Sequence, residues 1–476
     1  MSRKTALTLT FAPDEYLVTW QLPSATGGTI EAHGSLTVEA DRSPRGTAHG
    51  DLTDSLDELA GGVFPFPQRV DVPILTGSLT TGANVLLINA HVTYWFTNQA
   101  RISADAAVIT LANVSNADEA LFKSFDVQIG SLDAIAGVAP IKSTTFPKKG
   151  AAGTWAAELR SDFKQEWSDA GATLTLTYNG TFHSSDPYAF TMGFSPLLMC
   201  ELAEAVSLRQ IIDQWIVPLR RVISVATGRS EEITCLTVYL LNQSGAKQRG
   251  QVFGSGVTQE PYGSEREEID KTNSPLKLKT DEVSLLELAR NWQKLVAAHH
   301  PLVETYGSML HALDQHPRSR FLLLLQAIEG THGYETKASF AKRLKVHTEA
   351  RDAIVDLVKG SLDEKQLKFL ERNLRKQPPG GLENAINWLA KRLPGEVKKQ
   401  LDETELVAAT KAAPINAKNA PDALRIVRNH LAHGTKGYDA SDLRGVVVVL
   451  EKTVRAHALE LLGCPNDVVG RVLKTS

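Results

Sequence analysis

The sequence predicts an α+β chain, in which an antiparallel β-rich region, a sandwich or a barrel, precedes an all-α bundle. Up to about residue 181, hydrophobicity alternates in short segments interrupted by Gly, Pro, Asn and Asp, whereas from Asp281 onward it follows the helical period. Charge divides in the same way, because residues 1–280 contain 22 Lys and Arg against 30 Asp and Glu, and residues 281–476 contain 29 against 24. The net charge of −3 therefore conceals an acidic region followed by a basic one. We expect a β-rich region over 1–253, a linker over 254–280 and a helical domain over 281–476.

The alternating segments of the first region predict short strands. They lie at residues 6–11, 35–38, 84–88, 91–96, 125–129 and 173–178. Short strands at regular spacing favour a sandwich or barrel, which we expect to extend to about residue 195.

The periodicity then changes. Three apolar segments predict one or two helices that end at Gly228, and they lie at residues 197–202, 211–216 and 219–225. Residues 233–241 predict a return to strand. The stretch 254–280 is rich in Gly, Ser and Pro, which is typical of a linker.

The last region has helical periodicity almost throughout. Its predicted helices lie at residues 285–296, 321–328, 338–346, 350–358, 364–374, 382–393 and 443–462. The short loops between them favour a helical bundle.

Several classes of protein are excluded by what the sequence lacks. Cys200, Cys235 and Cys464 are far apart and match no metal-ligand spacing, so we expect no metal, no disulfide framework and a reducing, cytoplasmic location. No apolar run approaches the roughly 18 residues that cross a bilayer, and the first residues do not resemble a signal peptide, so no membrane association is expected. Phosphate-loop, dinucleotide and zinc-protease motifs are missing, and no cofactor is expected.

One further helix is predicted over residues 421–433 with clear ends. Pro421 suits its first position, Asp422 favours the positive N-terminal end of the helix dipole, and Gly434 can close the helix in a left-handed cap. Its expected buried stripe consists of Leu424, Val427 and Leu431. Ile426 lies on the outer face, which is plausible for packing against a second subunit.

Arg428 and His433 form the pattern R-x-x-x-x-H on this helix. The spacing alone is weak evidence, because Arg425 and His430 repeat it within the same helix. The context is more specific, since the polar Asn429 follows Arg428 and His433 stands in the last turn before a glycine. The segment resembles the HEPN ribonuclease motif, an Arg followed by a polar residue and closed by a His at a helix end.

The resemblance extends along the chain. Residues 321–329, 340–344 and 428–434 are similar in order and spacing to the ApeA-like HEPN domain. Residues 125–133 and 215–228 look like the β-rich N-terminal region of ApeA-type anti-phage proteins. One departure is that the usual Trp after the Leu-Asp of the first of these segments is absent, and Ala134 stands there instead.

The resemblance implies a metal-independent endoribonuclease of anti-phage abortive infection, in which the ribose 2′-hydroxyl attacks the adjacent phosphate. His433 would exchange protons, Arg428 would bind the phosphate and Asn429 would orient the substrate or its partner, with His430 as an accessory candidate. The expected substrate is RNA, with transfer RNA one candidate, and the β-rich region would sense a phage-encoded trigger or restrain the helical domain. No cofactor is implied.

The helix geometry predicts a homodimer. Positions five apart on a helix differ by about 140 degrees, so Arg428 and His433 of one chain do not converge on one phosphate from one face. Two such helices around a two-fold axis would gather two Arg and two His in one cleft, as HEPN dimers do.

Three alternatives remain open from the residues. Arg428 can be a surface ion-pair donor and His433 a solvated residue beside a helix cap. A non-catalytic HEPN protein that binds RNA or nucleotide and acts through partners also fits, as does a β-sandwich ligand-binding protein with an inert helical dimerisation domain. Glu329 is either an ordinary surface acid or a partner of the arginine.

Overall fold

The chain consists of two compact units. The computed structural model describes residues 5–24, 28–52, 68–96, 98–112, 120–147, 153, 156–186, 189–241, 247–311, 315–378, 381–413 and 417–474, and every structural statement below concerns these residues. The first unit comprises Met1–Thr227 and Glu231–Ala289, and the second comprises Gly228–Ser230 and Arg290–Ser476. All described strands lie in the first unit and the second is helical, so the predicted α+β class is confirmed.

The strands lie within the first 254 residues. Their bounds are β1 Asp14–Pro23, β2 Thr29–Val38, β3 Arg45–His49, β4 Gln68–Leu79, β5 Asn84–Phe96, β6 Gln99–Ser103, β7 Ala106–Thr110, β8 Leu121–Ile129, β9 Ile141–Thr145, β10 Ala156–Leu159, β11 Gln165–Ser168, β12 Ala172–Asp186, β13 Ala189–Ser207, β14 Ile233–Leu241 and β15 Lys247–Gly254.

Short helices lie between and after the strands, and longer ones form the second unit. Their bounds are α1 Leu132–Ala136, α2 Leu208–Ile211, a π-helical turn Ile212–Ile216, α3 Val217–Thr227, α4 Arg266–Thr272, α5 Leu285–Ala297, α6 Pro301–His311, α7 Pro317–Glu335, α8 Lys337–Val358, α9 Glu364–Asn373, α10 Leu382–Arg392, α11 Val397–Asp402, α12 Glu405–Ala412, α13 Ala420–His433, α14 Ala440–Leu461 and α15 Asn466–Lys474.

The β-rich unit is built on one large antiparallel sheet, and β9 and β10 pair as a separate two-stranded sheet. In the described part of the chain the thirteen strands of the large sheet have the order β11-β12-β13-β8-β14-β15-β7-β5-β4-β1-β2-β3-β6. Strand β5 pairs with β7 through residues 84–88 and with β6 from His91 onward, so it has two neighbours on one side. The pairing of β5 with β6 closes the ring β5-β4-β1-β2-β3-β6. The unit is therefore a closed barrel that continues through β5 into an open sheet.

Trp20 on β1 occupies the interior of this barrel. Its side chain is fully buried, and its indole Nε1 donates to Thr47 O on β3 at 2.9 Å. Gly77 on β4 lies directly opposite, where a Cβ would be 2.8 Å from the indole ring. A Cβ on Gly34 of β2 would be 1.8 Å from Thr47 O. The two glycines thus leave the space that the indole and its acceptor occupy.

Gly34→Ala is expected to lower the free energy of unfolding by about 3 kcal/mol, because overpacking and the loss of a buried hydrogen bond act together. The added methyl group meets a backbone oxygen, which cannot rotate away, and the shift breaks its bond with Trp20. Urea denaturation followed by Trp fluorescence measures the change. Gly28→Ala is the matched control, since a Cβ there meets no atom within 4 Å. Equal midpoints for the two variants would contradict this packing.

Residues 197–202 are strand, and the helix predicted there is wrong. They belong to β13, and Leu198 is paired with β12 on one side and with β8 on the other. Leu198, Cys200 and Leu202 are buried, whereas Met199 and Glu201 between them are exposed. Because Met199 is apolar although it is exposed, the run 197–200 is continuously apolar, and periodicity does not distinguish such a short run from a buried helix. The helix begins only at Leu208, where the Ser207 side chain caps it, and Gly228 follows with the expected left-handed φ of 73°.

Residues 6–11, predicted as a strand, form none. A buried side chain binds their backbone instead, because Gln251 Oε1 accepts hydrogen bonds from the N–H groups of Thr10 and Phe11, both at 3.0 Å. The amide Nε2 of Gln251 donates to Phe11 O at 2.8 Å. An alternating pattern shows that a segment is extended and half-buried, but not which groups bind its backbone.

The predicted linker, 254–280, packs on the β-rich unit. Tyr262 N donates to Gln128 Oε1, and Gln128 Nε2 donates to Tyr262 O, both at 2.9 Å. Leu276 and Leu278 are buried as well. The stretch contains helix α4, and the backbone on either side of this helix is irregular, as its turn residues predict. Hydrogen bonds to Gln128 and a few apolar side chains attach the stretch to the rest of the unit. The contact-based division falls after Ala289, inside α5.

The helical unit is a bundle in which α7 packs on α6, α10 and α14, and α13 packs on α10 and α12. The segments 338–346 and 350–358, predicted as two helices, form the single helix α8. Helix α7 continues past Gly330 to Glu335, because a glycine weakens a helix interior without ending it. No described helix is long and apolar enough to span a membrane. The three cysteines are buried thiols without disulfides, and burial raises the pKa of Cys235 to about 11.

Candidate ribonuclease site

Helix α13 has the ends that the sequence predicts. The Asn419 side chain accepts from Asp422 N at 3.0 Å, and Pro421 follows the cap. At the other end Gly434 has a left-handed φ of 67°, and its N–H donates to His430 O. The helix is therefore fixed at both termini, which sets the direction of the side chains between them.

The faces of α13 also follow the prediction. Its buried stripe contains Leu424, Val427 and Leu431. Ile426 and Asn429 are half-buried, and His433 is exposed. All the predicted site residues thus lie outside the buried stripe, on one helix: Arg428, Asn429, His430 and His433.

Arg428 is held by helix α7. Its Nη2 donates to Glu329 Oε2 at 3.2 Å, and its Nη1 donates to Asn429 Oδ1 at 3.3 Å. The Arg428 side chain remains 41% exposed and that of Glu329 29% exposed, so the pair is accessible from solvent. Glu329 is thus a partner of the arginine rather than an ordinary surface acid. It orients the guanidinium, and Asn429 adds a second contact.

His433 is the last residue of α13 and its imidazole lies in solvent. Within the described residues it has no hydrogen-bond partner. It stands about 7.5 Å along the helix axis from Arg428 and about 140 degrees around it. The two side chains are therefore presented on different sides of the same helix end.

His430 is held within its own chain. Its Nδ1 lies 2.7 Å from the Tyr438 hydroxyl, and the two rings stack with centroids 6.1 Å apart. Lys436 lies over the Tyr438 ring, with its Nζ 5.1 Å from the ring centroid. Arg318 of α7 donates to Leu431 O at 2.7 Å and so binds the end of the helix. Tyr438, Lys436 and Arg318 were missed by the sequence analysis; the position of Tyr438, four residues after the glycine cap, was the available signal.

Arg425, the other arginine of the repeated spacing, has a structural role. Its Nη2 donates to Asp422 Oδ1 at 2.6 Å and its Nε donates to Glu383 Oε1 of α10 at 2.7 Å. The hydrogen bond to Asp422 raises the pKa of Arg425. The structure therefore separates the two R-x-x-x-x-H matches, because Arg425 joins α13 to α10 whereas Arg428 pairs with Glu329 of α7 and remains partly exposed.

A second polar cluster joins α7, α10 and α14. His457 is 2% exposed, and its Nε2 and Nδ1 lie 2.7 Å from Glu335 and 3.0 Å from Glu460. Arg392 pairs with both carboxylates. Burial lowers the pKa of His457, but its hydrogen bonds to the two carboxylates outweigh burial and raise it overall. Burial likewise raises the pKa of Glu335 and of Glu460, and bonds to His457 and Arg392 lower both overall.

This second cluster is enclosed by helices, so we assign it to stability and not to catalysis. Among the described residues no group of three or more His, Cys, Asp and Glu is arranged to bind a metal ion. Arg428 and His433, near the C-terminal end of α13, are in contrast accessible from solvent.

A family model described as ApeA N-terminal domain 1 matches residues 15–292, more than half of the chain. The chain belongs to the ApeA N-terminal domain 1 family. The match spans the sheet and ends inside α5, close to the division between the two units. The ApeA-like assignment thus stands on the β-rich unit.

The ApeA family model does not extend over residues 293–476, where α13 lies. Neither a curated protein nor a solved structure matches the chain. The HEPN resemblance of the helical unit therefore remains a prediction from the sequence of residues 321–329, 340–344 and 428–434.

Proposed function

We propose that the helical unit is a metal-independent RNA endonuclease and that the chain acts in anti-phage defence by abortive infection. The observation that carries this proposal is the end of α13, where a half-buried arginine held by a carboxylate and an exposed histidine stand in the pattern Arg-polar-x-x-x-His. Membership of the ApeA N-terminal domain 1 family supports the part of the proposal that concerns anti-phage defence. The nuclease part is supported by the residues of the helical unit alone.

The chemistry requires a proton acceptor for the 2′-hydroxyl, a proton donor for the departing 5′-oxygen and positive charge on the phosphate. A bond forms between the 2′-oxygen and phosphorus while the bond to the 5′-oxygen breaks, which leaves a 2′,3′-cyclic phosphate and a 5′-hydroxyl. The imidazole of His433 is the proposed group that accepts and donates protons, and the planar fork of Arg428 matches two phosphate oxygens. Asn429 and Glu329 are positioning residues, since both bind the guanidinium.

The proposed assembly is a homodimer with a composite site. Arg428 and His433 of one chain lie about 140 degrees apart on their helix, and a second α13 across a two-fold axis brings an arginine of one protomer towards a histidine of the other. Ile426, which is half-buried and lies on the same side of α13 as His433, offers apolar surface for this contact. The substrate is RNA, with transfer RNA the first to test, and the β-rich unit is proposed to sense a phage component or to restrain the helical unit.

Complementation between two inactive chains tests the composite site. Arg428→Ala and His433→Ala are each expected to abolish toxicity on overexpression in bacteria. Their co-expression is expected to restore part of it, because a mixed dimer retains one arginine and one histidine on opposite protomers. Survival of the cells is the measurement, and co-expression of His433→Ala with the double variant is the control that cannot form this pair.

Two outcomes would contradict the proposal. Toxicity that persists in both single variants would remove these residues from the activity, which is the result expected of a non-catalytic HEPN protein acting through partners. In the second outcome, each single variant is non-toxic and their co-expression does not restore toxicity. Arg428 and His433 would then have to act together on one chain, and the composite site would be wrong.

A further inference from the structure

Helices α8 and α9 form an arm that contributes no buried side chain to the core. Neither helix contains a buried residue, whereas α7, α10, α13 and α14 each contain several. Their half-buried side chains lie on the faces where the two helices meet, and exposed apolar residues include Leu357 and Phe369. A segment of about 40 residues without a share in the core has a role other than stability.

This arm carries the whole excess of positive charge of the helical region. Residues 337–377 contain 11 Lys and Arg against 6 Asp and Glu, a balance of +5. The rest of residues 281–476 contains 18 against 18. The basic character that the sequence shows for the second region is therefore a property of one arm, not of the bundle.

The charge is concentrated further where the two helices run side by side. His347 Nε2 donates to Arg375 O at 2.8 Å, and Arg351 Nη2 donates to Glu371 O at 3.4 Å, so α8 and the end of α9 are antiparallel neighbours. The pairing brings together two segments without a carboxylate, 342–347 and 372–376. Their six cations, which we call the basic patch, are Lys342, Arg343, Lys345, Arg372, Arg375 and Lys376.

The basic patch is open. All six side chains are exposed, and within the described residues none of them forms an ion pair with a carboxylate. Nearer the far end of the arm, in contrast, Lys368 pairs with Glu364 at 2.5 Å and Arg351 with Asp352 at 3.1 Å. Six adjoining cations without anions repel one another, and a polyanion relieves this repulsion.

We propose that the basic patch binds the phosphate backbone of the RNA that is cut at α13. The proposal rests on the proposed function in taking RNA as the polyanion. Helix α7 connects the two places: Glu329 holds Arg428, Glu335 stands about 9 Å further along the same helix, and α8 begins two residues later at Lys337. Along these helices Lys342, the first residue of the patch, stands about 20 Å from Glu329, a distance that a folded RNA spans. Phosphate contacts there supply affinity and position, and no base sequence.

Charge reversal with a matched control tests the patch. All proteins carry His433→Asn, so that the RNA stays intact, and the probe is fluorescein-labelled total transfer RNA in EDTA. The patch variant is Lys342→Glu, Arg343→Glu and Lys345→Glu, and the control is Lys359→Glu, Lys365→Glu and Lys368→Glu, which makes the same change of charge toward the other end of the arm. Because these side chains are exposed, both variants are expected to fold, as thermal melting followed by circular dichroism would show.

The patch variant is expected to bind transfer RNA about a hundredfold more weakly at 0.1 M salt, and its plot of log Kd against log salt is expected to be shallower by about 2 to 3, since three phosphate contacts are lost. The control is expected to change by less than about threefold. Equal losses in both variants, or none in either, would overturn the proposal. So would loss of binding to phosphatidylserine vesicles while affinity for RNA is kept.

The failure of the proposed function is a separate result. In one case the patch variant loses affinity for transfer RNA, but the chain that retains His433 is toxic to cells without cleaving any of their RNA. The basic patch is then supported, and the proposed nuclease activity is wrong. In the other case the unmodified chain cleaves RNA, but the patch variant binds transfer RNA as tightly as the control does. The nuclease activity is then supported, and the proposed role of the basic patch is wrong.

Discussion

His433→Asn is expected to lower the rate of RNA cleavage by about a thousandfold, because general acid–base catalysis contributes on this order and no other titratable side chain of α13 is both exposed and at the helix end. Asn keeps a polar side chain of similar size but does not exchange a proton near neutral pH. Arg428→Ala is expected to have an effect of the same order, and Arg428→Lys an intermediate one, since a lysine keeps the charge without the planar fork. The rate is measured on a labelled RNA at saturating enzyme, in a single turnover.

Two control substitutions keep this test specific. His299→Asn replaces another exposed histidine at the end of a helix, in a left-handed position that Asn tolerates, and Arg266→Ala removes an arginine that is 90% exposed on the β-rich unit. Both are expected to leave the rate within about twofold. A His433→Asn enzyme that retains a tenth or more of the rate would remove this residue from the proton transfer.

Glu335→Gln is expected to lower the free energy of unfolding of the helical unit by about 3 kcal/mol, because it removes one of the two carboxylates that balance the charges of His457 and Arg392 and leaves only Glu460. The substitution keeps the shape of the side chain and removes only its charge. His457 is 2% exposed and Glu335 15% exposed, so solvent screens the interaction little. Urea denaturation of the full chain, followed by the helical circular dichroism signal, measures the change.

The effect has a predicted pH dependence. The pKa of His457 is raised in the folded chain, so its contribution is fully present below about pH 6.5 and is lost as pH rises through the folded pKa. The pKa values of Glu335 and Glu460 are lowered, so their contribution is present above about pH 4.3 and is lost as pH falls. The free energy of unfolding of wild type is therefore expected to exceed that of Glu335→Gln by the largest amount between about pH 5 and 6.5, and by a smaller amount at about pH 8.5.

Glu364→Gln is the control for this prediction. Glu364 is 81% exposed and pairs with a lysine one turn away, and surface pairs of this kind contribute little. A difference between wild type and Glu335→Gln that stays constant from pH 5.5 to 8.5 would contradict the pairing of His457 with the carboxylates.

Local signals in the sequence predict the ends and the buried face of α13, the helix on which the candidate site lies. The caps of α13 consist of residues next to one another in the chain, so Pro421 and Gly434 are sufficient to place the helix ends. Helical spacing is sufficient to place Leu424, Val427 and Leu431 in the core. Helical spacing does not predict the pairing of Glu329 with Arg428, because these residues are 99 positions apart in the chain.

The misses share a physical cause, which is pairing over long distances in the chain. Residues 197–202 were taken for helix although they belong to strand β13, because one of the strands that pair with them, β8, lies far earlier in the sequence. Gln128 and Gln251 form hydrogen bonds with the backbone of Tyr262 and Phe11, which lie far from them in the chain. The hydrophobic pattern around Tyr262 and Phe11 indicates only that the backbone there is irregular or extended. The arm was predicted as helix, but its lack of buried residues depends on what the rest of the bundle covers.

The most direct test of the central claim is the chemistry of the cut ends. Wild-type chain, purified from cells in which it is toxic, is incubated with total RNA in EDTA, and the products are tested for 2′,3′-cyclic phosphate and 5′-hydroxyl ends. The account predicts cyclic phosphate ends from wild type and none from His433→Asn or Arg428→Ala. Cleavage that requires added metal, or that both variants perform as fast as wild type, would contradict it.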